Sequence, residues 1–264
     1  MTRAARLDLH HHRPTSGVSR AVGAAWRSLF PGQRFLHERN KVSLPPLELR
    51  AAGRIFRDDN TFRKFAIADV KAIERHTSVA GKTILDFGCG AGRLYFGLRH
   101  RNEPGAYLGV DVRRDVIDWA QQHISAANAR FTFVQTDVQN DRYNPDGTLA
   151  NEAWVRSLHQ PYDVIYCYSV LSHLTEADAA AVLQLFADFS RPESFIFLTA
   201  FVAEQDENVA INPEGAGIAI RGPLHVVRYR HNHFRDHMLR NFVVVAEYPS
   251  LATDGQTLFV LRRR

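Results

Sequence analysis

Three glycines and two carboxylates stand at spacings from which a nucleotide site can be built. An apolar run ends near Asp86, and Gly88, Gly90 and Gly92 follow it closely. Glycines at alternate positions let the chain turn tightly and let a ligand approach main-chain amides. Asp111 closes the next apolar run, where a carboxylate can accept hydrogen bonds from two ribose hydroxyls. The spacing therefore predicts a site for a nucleoside-containing ligand.

The residues around the glycines indicate which kind of nucleotide fits. A dinucleotide fingerprint, Gly-x-Gly-x-x-Gly, would place its third glycine at position 93, where this chain has Arg93. The carboxylate of Asp86 would repel a pyrophosphate, and it would attract the ammonium group of a methionine moiety. We therefore rank a dehydrogenase below the other interpretations.

Segment 84–93, which reads Ile-Leu-Asp-Phe-Gly-Cys-Gly-Ala-Gly-Arg, resembles the first motif of class I, S-adenosylmethionine-dependent methyltransferases. The resemblance extends over about residues 80–201 and more loosely over the last two predicted strands. It implies S-adenosylmethionine as the cofactor. It also implies these donor-binding residues: Asp86, Gly88, Cys89, Gly90, Gly92, Arg93, Asp111, Val112, Asp137, Val138, Tyr168 and Ser169.

The same resemblance implies a role for each of the later donor-binding residues. Asp111 would bind the ribose, with Val112 beside the adenine. The pair after the third strand, Asp137–Val138, would meet the edge of the adenine. The pair after the fourth strand, Tyr168–Ser169, would form the floor under the methyl donor.

Segment 44–50, Leu-Pro-Pro-Leu-Glu-Leu-Arg, resembles a leader in a bacterial subset of these enzymes, of small-molecule or glycan type, whose acceptors are mostly unassigned. We therefore predict transfer of a methyl group to a small-molecule or glycan acceptor, at oxygen. The isoelectric point of about 9.4 leaves open methylation of a nucleic acid or a protein. A non-catalytic domain that binds S-adenosylmethionine is a further alternative. Nucleic acid is disfavoured, because the fourth strand lacks the Asn/Asp-Pro-Pro-Tyr sequence of base-methylating enzymes.

An acceptor oxygen that still carries its proton at neutral pH needs a general base. His173 is the first candidate, because it lies just past the fourth strand, at the edge of the sheet where the pocket should open. Glu204, directly after the fifth strand, and His225, within the long segment 203–233, are further catalytic candidates. The histidines lack the spacing and companion ligands of a usual metal site, so we predict no metal.

Strand-like and helical segments alternate along the chain and predict the frame that positions these residues. The strand-like runs are Thr83–Phe87, Ala106–Val110, Arg130–Thr136, Tyr162–Tyr168, Ser194–Phe201, Phe242–Tyr248 and Gln256–Leu261. Helical periodicity covers Asn60–His76, Arg93–Arg99, Arg113–Ile124, Glu176–Phe189 and His233–Arg240. This pattern predicts an α/β fold: a doubly wound, mostly parallel seven-stranded sheet with an antiparallel last strand, plus an N-terminal helical cap and a mobile tail.

We expect three parts along the chain. Residues 1–40 form a mobile basic tail in which Val18–Phe30 can form a short helix, residues 41–80 form an N-terminal cap segment, and residues 81–264 form the methyltransferase domain. The two cysteines, Cys89 and Cys167, favour a reducing cytoplasm over a disulfide scaffold. No apolar run reaches the ~20 residues of a membrane-spanning helix. The oligomeric state stays open.

Overall fold

A computed structural model describes residues 42–50, 56–99, 103–148, 158, 160–214, 219–249 and 255–264. These residues fall within one unit, 41–264. The expected tail and its helix Val18–Phe30 lie outside the described residues, so both stay predictions. Among the helices of the described part, none has the length and apolar character needed to cross a membrane.

In the described part of the chain, nine strands form a mixed sheet. They are β1 Thr83–Phe87, β2 Ala106–Asp111, β3 Phe131–Gln135, β4 Tyr162–Cys167, β5 Ser190–Ala203, β6 Val209–Ile211, β7 Val227–Arg230, β8 Phe242–Tyr248 and β9 Thr257–Arg263. The first five run parallel in the order β3-β2-β1-β4-β5. β9 pairs antiparallel with both β5 and β8. The predicted doubly wound sheet with a reversed last strand is therefore confirmed.

The predicted number of seven strands is wrong, because the segment after β5 contributes two short strands. β9 pairs only with Ile196–Ala200 of β5, and the last residues of that strand, Phe201–Ala203, pair in parallel with β7. β6 then pairs antiparallel with β7. The end of β5 that β9 leaves free is thus covered rather than exposed as an edge. The long segment 203–233 thus contains two paired strands.

The described part of the chain contains five α-helices, and two of them continue as wider turns. They are α1 Asp59–Glu74, α2 Arg93–Leu98, α3 Arg114–Ala120, α4 Glu176–Asp188 and α5 His231–His233. α3 and α5 continue as π-helical turns over Gln121–Ser125 and Phe234–Met238. Short 3₁₀ turns cover Leu47–Leu49 and Leu171–His173.

Side-chain caps set where two of these helices begin. Thr175 precedes α4, and its hydroxyl accepts a hydrogen bond from the N–H of Asp178 at 3.2 Å. α1 begins after Asp58, whose carboxylate accepts a hydrogen bond from the N–H of Thr61 at 2.8 Å. The helix predicted over Asn60–His76 therefore begins one residue earlier, at Asp59, and ends at Glu74.

Alternate residues of the central strands pack on opposite faces of the sheet. Ile84 and Val164 belong to the core shared with α1, α2 and α3, whereas Leu85 and Ile165 belong to the core shared with α4 and the turn after α5. Side chains of a strand alternate with period two, so continuous apolar strands are buried on both sides. The loops at the carboxyl ends of these strands are left to form a site.

α1 and α2 pack against each other at very short range. A Cβ placed on Gly97 of α2 would lie 2.0 Å from the carbonyl oxygen of Ala66 in α1. No side chain fits between the two backbones. α1 is thereby held against the helix that follows the glycine loop.

Candidate active site

A cavity of about 290 Å³ opens at the carboxyl ends of β1, β2, β3 and β4. The loops after these strands line it, and residues of α4 close one side. Four residues from the segment before β1 also line it: Leu49, Arg50, Phe56 and Phe62. The stretch expected to act as a cap thus contributes a wall of the cavity.

The glycine loop after β1 brings main-chain atoms to the cavity. Gly88 and Gly90 both have left-handed backbone, with φ of +77° and +53°. A Cβ on Gly88 would lie 2.2 Å from Cγ2 of Val170, whereas a Cβ on Gly90 would meet no heavy atom within 4 Å. The first glycine therefore permits close packing, and the second leaves the loop open to a ligand. Cys89 between them is buried and lines the same cavity.

The carboxylate of Asp111 fastens the glycine loop to the end of β2. Its Oδ2 accepts a hydrogen bond from the N–H of Gly90 at 2.8 Å, and its Oδ1 accepts one from the N–H of Arg113 at 3.0 Å. Burial raises the pKa of Asp111, while these two hydrogen bonds lower it. Each carboxylate oxygen keeps a second acceptor position, so two hydroxyls can still bind.

Asp86 supplies a second carboxylate to the cavity, from inside β1. Its side chain is buried, and its Oδ2 accepts a hydrogen bond from the hydroxyl of Tyr107 at 2.5 Å. Burial raises the pKa of Asp86 to about 7, and the hydrogen bond from Tyr107 opposes that rise. The attraction of Arg93 also opposes the rise. A cationic ligand group next to this buried carboxyl would stabilise its charged form.

Arg93 lines the cavity, but its charge is balanced by a residue that the sequence interpretation missed. Its Nε lies 3.0 Å from Oδ2 of Asp69 in α1, and its guanidinium stacks over the ring of Tyr168, 4.0 Å from the centroid. Burial raises the pKa of Asp69, against the attraction of Arg93 and a hydrogen bond from Tyr166. The sequence does contain a signal for this pair. Asp69 is a charged residue on the apolar face of α1, one helical turn from both Phe65 and Ile73.

The two residues after β4 form part of the cavity wall. Tyr168 and Ser169 both line it. Ser169 has left-handed backbone, with φ of +56°, and its N–H donates to Oγ1 of Thr199 at 2.8 Å. Its hydroxyl accepts a hydrogen bond from Nε2 of Gln256 at 2.8 Å. These bonds fix the chain where it leaves β4.

Apolar and amide side chains line the cavity beyond β2 and β3. Val112 and Val138 are both part of the lining, where the resemblance places the adenine. Asn140, which the sequence interpretation missed, lines it too, and its Nδ2 donates to the carbonyl oxygen of His173 at 3.2 Å. This bond joins the loop after β3 to the turn after β4.

Two predicted donor-binding residues lie outside the cavity lining. Gly92 packs behind the loop, where a Cβ would lie 2.7 Å from Cδ1 of Ile124. Asp137 is exposed, and its Oδ1 accepts a hydrogen bond from Nδ2 of Asn144 at 3.0 Å. The structure brings the other ten predicted donor-binding residues together around the cavity: Asp86, Gly88, Cys89, Gly90, Arg93, Asp111, Val112, Val138, Tyr168 and Ser169.

Of the three predicted bases, His173 is the one that lines the cavity. Its Nδ1 lies 3.0 Å from the carbonyl oxygen of Leu224, and a carbonyl can only accept. The neutral imidazole therefore carries its proton on Nδ1 and its lone pair on Nε2. Burial lowers the pKa of His173 to about 4, with a further decrease from the charge of Arg142.

Glu204 and His225 lie outside the cavity lining. Glu204 is exposed. His225 uses Nδ1 to accept the N–H of Arg221 at 2.6 Å, so in the neutral ring its other nitrogen carries the proton and cannot take another. The geometry favours His173 over both as a base.

Within the described residues, no three His, Cys, Asp or Glu side chains are arranged to hold a metal ion. The lining instead offers backbone amides, apolar side chains and the carboxylates of Asp86, Asp111 and Asp178. This set suits an organic ligand with hydroxyl, ammonium and aromatic groups.

The fold is a Rossmann-like α/β sheet, and the cavity lies at the carboxyl ends of its parallel strands. Residues 85–196 match a family model described as a methyltransferase domain. Residues 85–196 of this chain are thus similar to a methyltransferase domain.

Curated relatives are similar in sequence to part of this chain. A ubiquinone biosynthesis O-methyltransferase of Vibrio campbellii is 25% identical over 127 residues, which is 48% of this chain and 47% of that protein. The corresponding protein of Stutzerimonas stutzeri is 25% identical over 160 residues, or 60% of this chain and 58% of that protein. The chain thus spans about half the length of the curated relatives it matches.

Solved structures share the fold at lower identity. Magnesium protoporphyrin IX methyltransferase of Synechocystis PCC 6803, with bound S-adenosylmethionine, gives a TM-score of 0.54 at 16% identity, covering 81% of this chain and 86% of that one. A glycopeptide N-methyltransferase complexed with S-adenosylmethionine gives a TM-score of 0.53 at 16% identity. The match covers 75% of this chain and 94% of that one. These similarities support the Rossmann-like fold of the domain.

Proposed function

We propose that this protein transfers a methyl group from S-adenosylmethionine to a hydroxyl oxygen of a small molecule, with His173 as the general base. The observation that carries the proposal is the position of His173. Its neutral imidazole lines the same cavity as the glycine loop and Asp111.

The described residues fit S-adenosylmethionine. Gly90 leaves the loop open where a ligand would approach the main chain, and Asp111 keeps two acceptor positions for the ribose hydroxyls. Asp86 offers a carboxylate to the ammonium group of the methionine moiety. Val112 and Val138 offer apolar surfaces to the adenine. When bound, S-adenosylmethionine supplies a methyl group activated by its positively charged sulfur.

His173 can take the proton that an acceptor hydroxyl loses as the new carbon–oxygen bond forms. Nε2 carries the lone pair, because Nδ1–H is bonded to the Leu224 carbonyl. The lowered pKa keeps the imidazole neutral at pH 7, so it is ready to accept. The apolar lining of the cavity helps to exclude water from this transfer.

The relatives named as O-methyltransferases support oxygen as the acceptor atom. Because one structural neighbour is named a glycopeptide N-methyltransferase, glycans are tested as acceptors beside other small molecules. The buried aromatic side chains of Phe56 and Phe62 on the cavity wall favour an acceptor with an apolar body over an extended sugar chain.

Transfer of an isotopically labelled methyl group tests the proposal directly. Purified protein is incubated with labelled donor and with separate pools of small-molecule alcohols and phenols, free glycans, and nucleic acid. We expect label in an O-methyl product of the first pool. His173→Gln should reduce turnover by roughly 10²–10⁴-fold, with unchanged binding of S-adenosylhomocysteine.

Two results would overturn the proposal. Label confined to nucleic acid or to an N-methyl product would show that the acceptor class is wrong. Full turnover in His173→Gln would show that His173 is not the base. Glu204→Gln serves as the matched control, since Glu204 is exposed and outside the lining.

A further inference from the structure

The imidazole of His173 is oriented by a segment distant in sequence. The carbonyl that accepts Nδ1–H belongs to Leu224, 51 residues further along the chain. Leu224 has left-handed backbone, with φ of +44°. Leucine avoids this conformation, because its Cβ approaches the following carbonyl oxygen. Something outside Leu224 must therefore hold its carbonyl in place.

Asn212 brackets the segment that contains Leu224 with three hydrogen bonds. Its N–H donates to the carbonyl oxygen of Val226 at 2.7 Å, and its Oδ1 accepts the N–H of Val226 at 3.0 Å. Its Nδ2 donates to the carbonyl oxygen of Gly222 at 3.2 Å. Leu224 lies midway between the two residues that Asn212 binds.

Asn212 is itself suited to this place in the chain. It follows β6 and has left-handed backbone, with φ of +49°. Asparagine adopts this conformation more readily than most residues. One amide side chain thus supplies both the acceptor and the donor that the bracket needs.

We propose that Asn212 is a positioning residue that holds the Leu224 carbonyl against His173 and so fixes the imidazole as its Nδ1–H tautomer. The inference rests on the proposed function only in so far as that tautomer serves catalysis. The tautomer itself is a separate property, and it can be measured without an acceptor.

Neighbouring charges do not replace this device. Arg142 donates from Nη1 to the carbonyl oxygen of Arg221 at 2.7 Å, which holds the segment on its other side. Burial lowers the pKa of His173, and the charges of Arg142 and of the His225 ring lower it further. Hydrogen bonds to the backbones of Leu224 and His225 raise it. The two charges do not select between the neutral tautomers, whereas the Leu224 carbonyl facing Nδ1 does.

Nitrogen-15 NMR of the histidine rings tests the proposal on the full chain at pH 7. A protonated ring nitrogen and one with a free lone pair have well-separated shifts, and His173→Gln assigns the signals of His173 by their loss. We expect the Nδ1–H tautomer in the wild type. Asn212→Gly keeps the left-handed backbone accessible but removes both side-chain bonds, so the Nε2–H form should appear.

Two further variants test whether the side-chain hydrogen bonds of Asn212 set the tautomer of His173. Asn212→Asp retains the acceptor for Val226 and loses the donor to Gly222, so its tautomer ratio should lie between those of the wild type and Asn212→Gly. Asn208→Gly is the matched control at the other end of β6, where the side chain is exposed, and it should leave the signals of His173 unchanged.

The turnover number should fall in Asn212→Gly by the same factor as the Nδ1–H population, with unchanged affinity for S-adenosylhomocysteine. A pure Nδ1–H tautomer in Asn212→Gly overturns the positioning role, even if turnover falls. A shifted tautomer with unchanged turnover supports the positioning role and overturns His173 as the base. The two ideas therefore fail separately.

Discussion

Replacing Asp86 with Asn should stabilise the protein and weaken its donor site. Burial raises the pKa of Asp86 from 3.8 to about 7, so the folded state resists its ionisation. Its contribution to stability is full below pH 3.8 and is lost as the pH rises through about 7. At 1.36 kcal/mol per pH unit, the ionised form costs roughly 4 kcal/mol at pH 8 relative to the unfolded chain.

The Asn side chain avoids this cost and can still accept the hydroxyl of Tyr107. The gain in the free energy of unfolding should therefore be near zero at pH 4 and approach roughly 4 kcal/mol, as an upper limit, at pH 8. Without its charge, the variant should bind S-adenosylhomocysteine about tenfold or more weakly, because hydrogen bonds to charged groups contribute roughly 1.5–3 kcal/mol.

Urea denaturation of the ligand-free protein at several pH values, with calorimetric titration of S-adenosylhomocysteine, measures both effects. Asp118→Asn is the matched control, because Asp118 is exposed on α3. The reasoning is refuted if Asp86→Asn is no more stable than the wild type at pH 8. Equal ligand affinity in the two proteins would refute the pairing of Asp86 with the ammonium group.

Three further predictions follow from the same geometry. Asp111→Ala should weaken S-adenosylhomocysteine binding by about tenfold or more in calorimetry, and an unchanged dissociation constant would contradict the ribose assignment. Gly97→Ala should lower the free energy of unfolding, measured in urea, by roughly 1–3 kcal/mol or more, because the new Cβ would lie 2.0 Å from the carbonyl oxygen of Ala66. An unchanged free energy of unfolding would show that α1 can move away from α2. Turnover should decrease as the pH falls through about 4, because burial lowers the pKa of His173 to about 4. A decrease in turnover centred at the ~6.5 of ordinary histidine would show that the imidazole is exposed.

The parts of the site that sequence could predict are those that neighbouring residues determine. Asp86, Gly88 and Gly90 are joined by one strand and one tight turn, so their spacing alone places them together. Asp111 follows because β2 pairs in parallel with β1, and that register carries its carboxylate to Gly90. Local pattern and sheet topology suffice for this half of the cavity.

The remaining parts depend on packing between distant segments. Asp69 reaches Arg93 only because α1 lies close against α2, and this approach depends on the absence of a side chain at Gly97. The tautomer of His173 depends on Leu224, in a segment that Asn212 holds. Neither relation has a fixed spacing along the chain, so periodicity could not reveal it.

The central claim is tested most directly by comparing the affinity of the protein for S-adenosylhomocysteine with its affinity for NAD. Isothermal titration of the purified chain with each ligand should show binding of S-adenosylhomocysteine and none of NAD, because Arg93 replaces the third dinucleotide glycine and Asp86 opposes a pyrophosphate. Binding should also raise the midpoint of thermal unfolding by mass action. Binding of NAD without binding of S-adenosylhomocysteine would contradict the assignment of this cavity to a methyl donor.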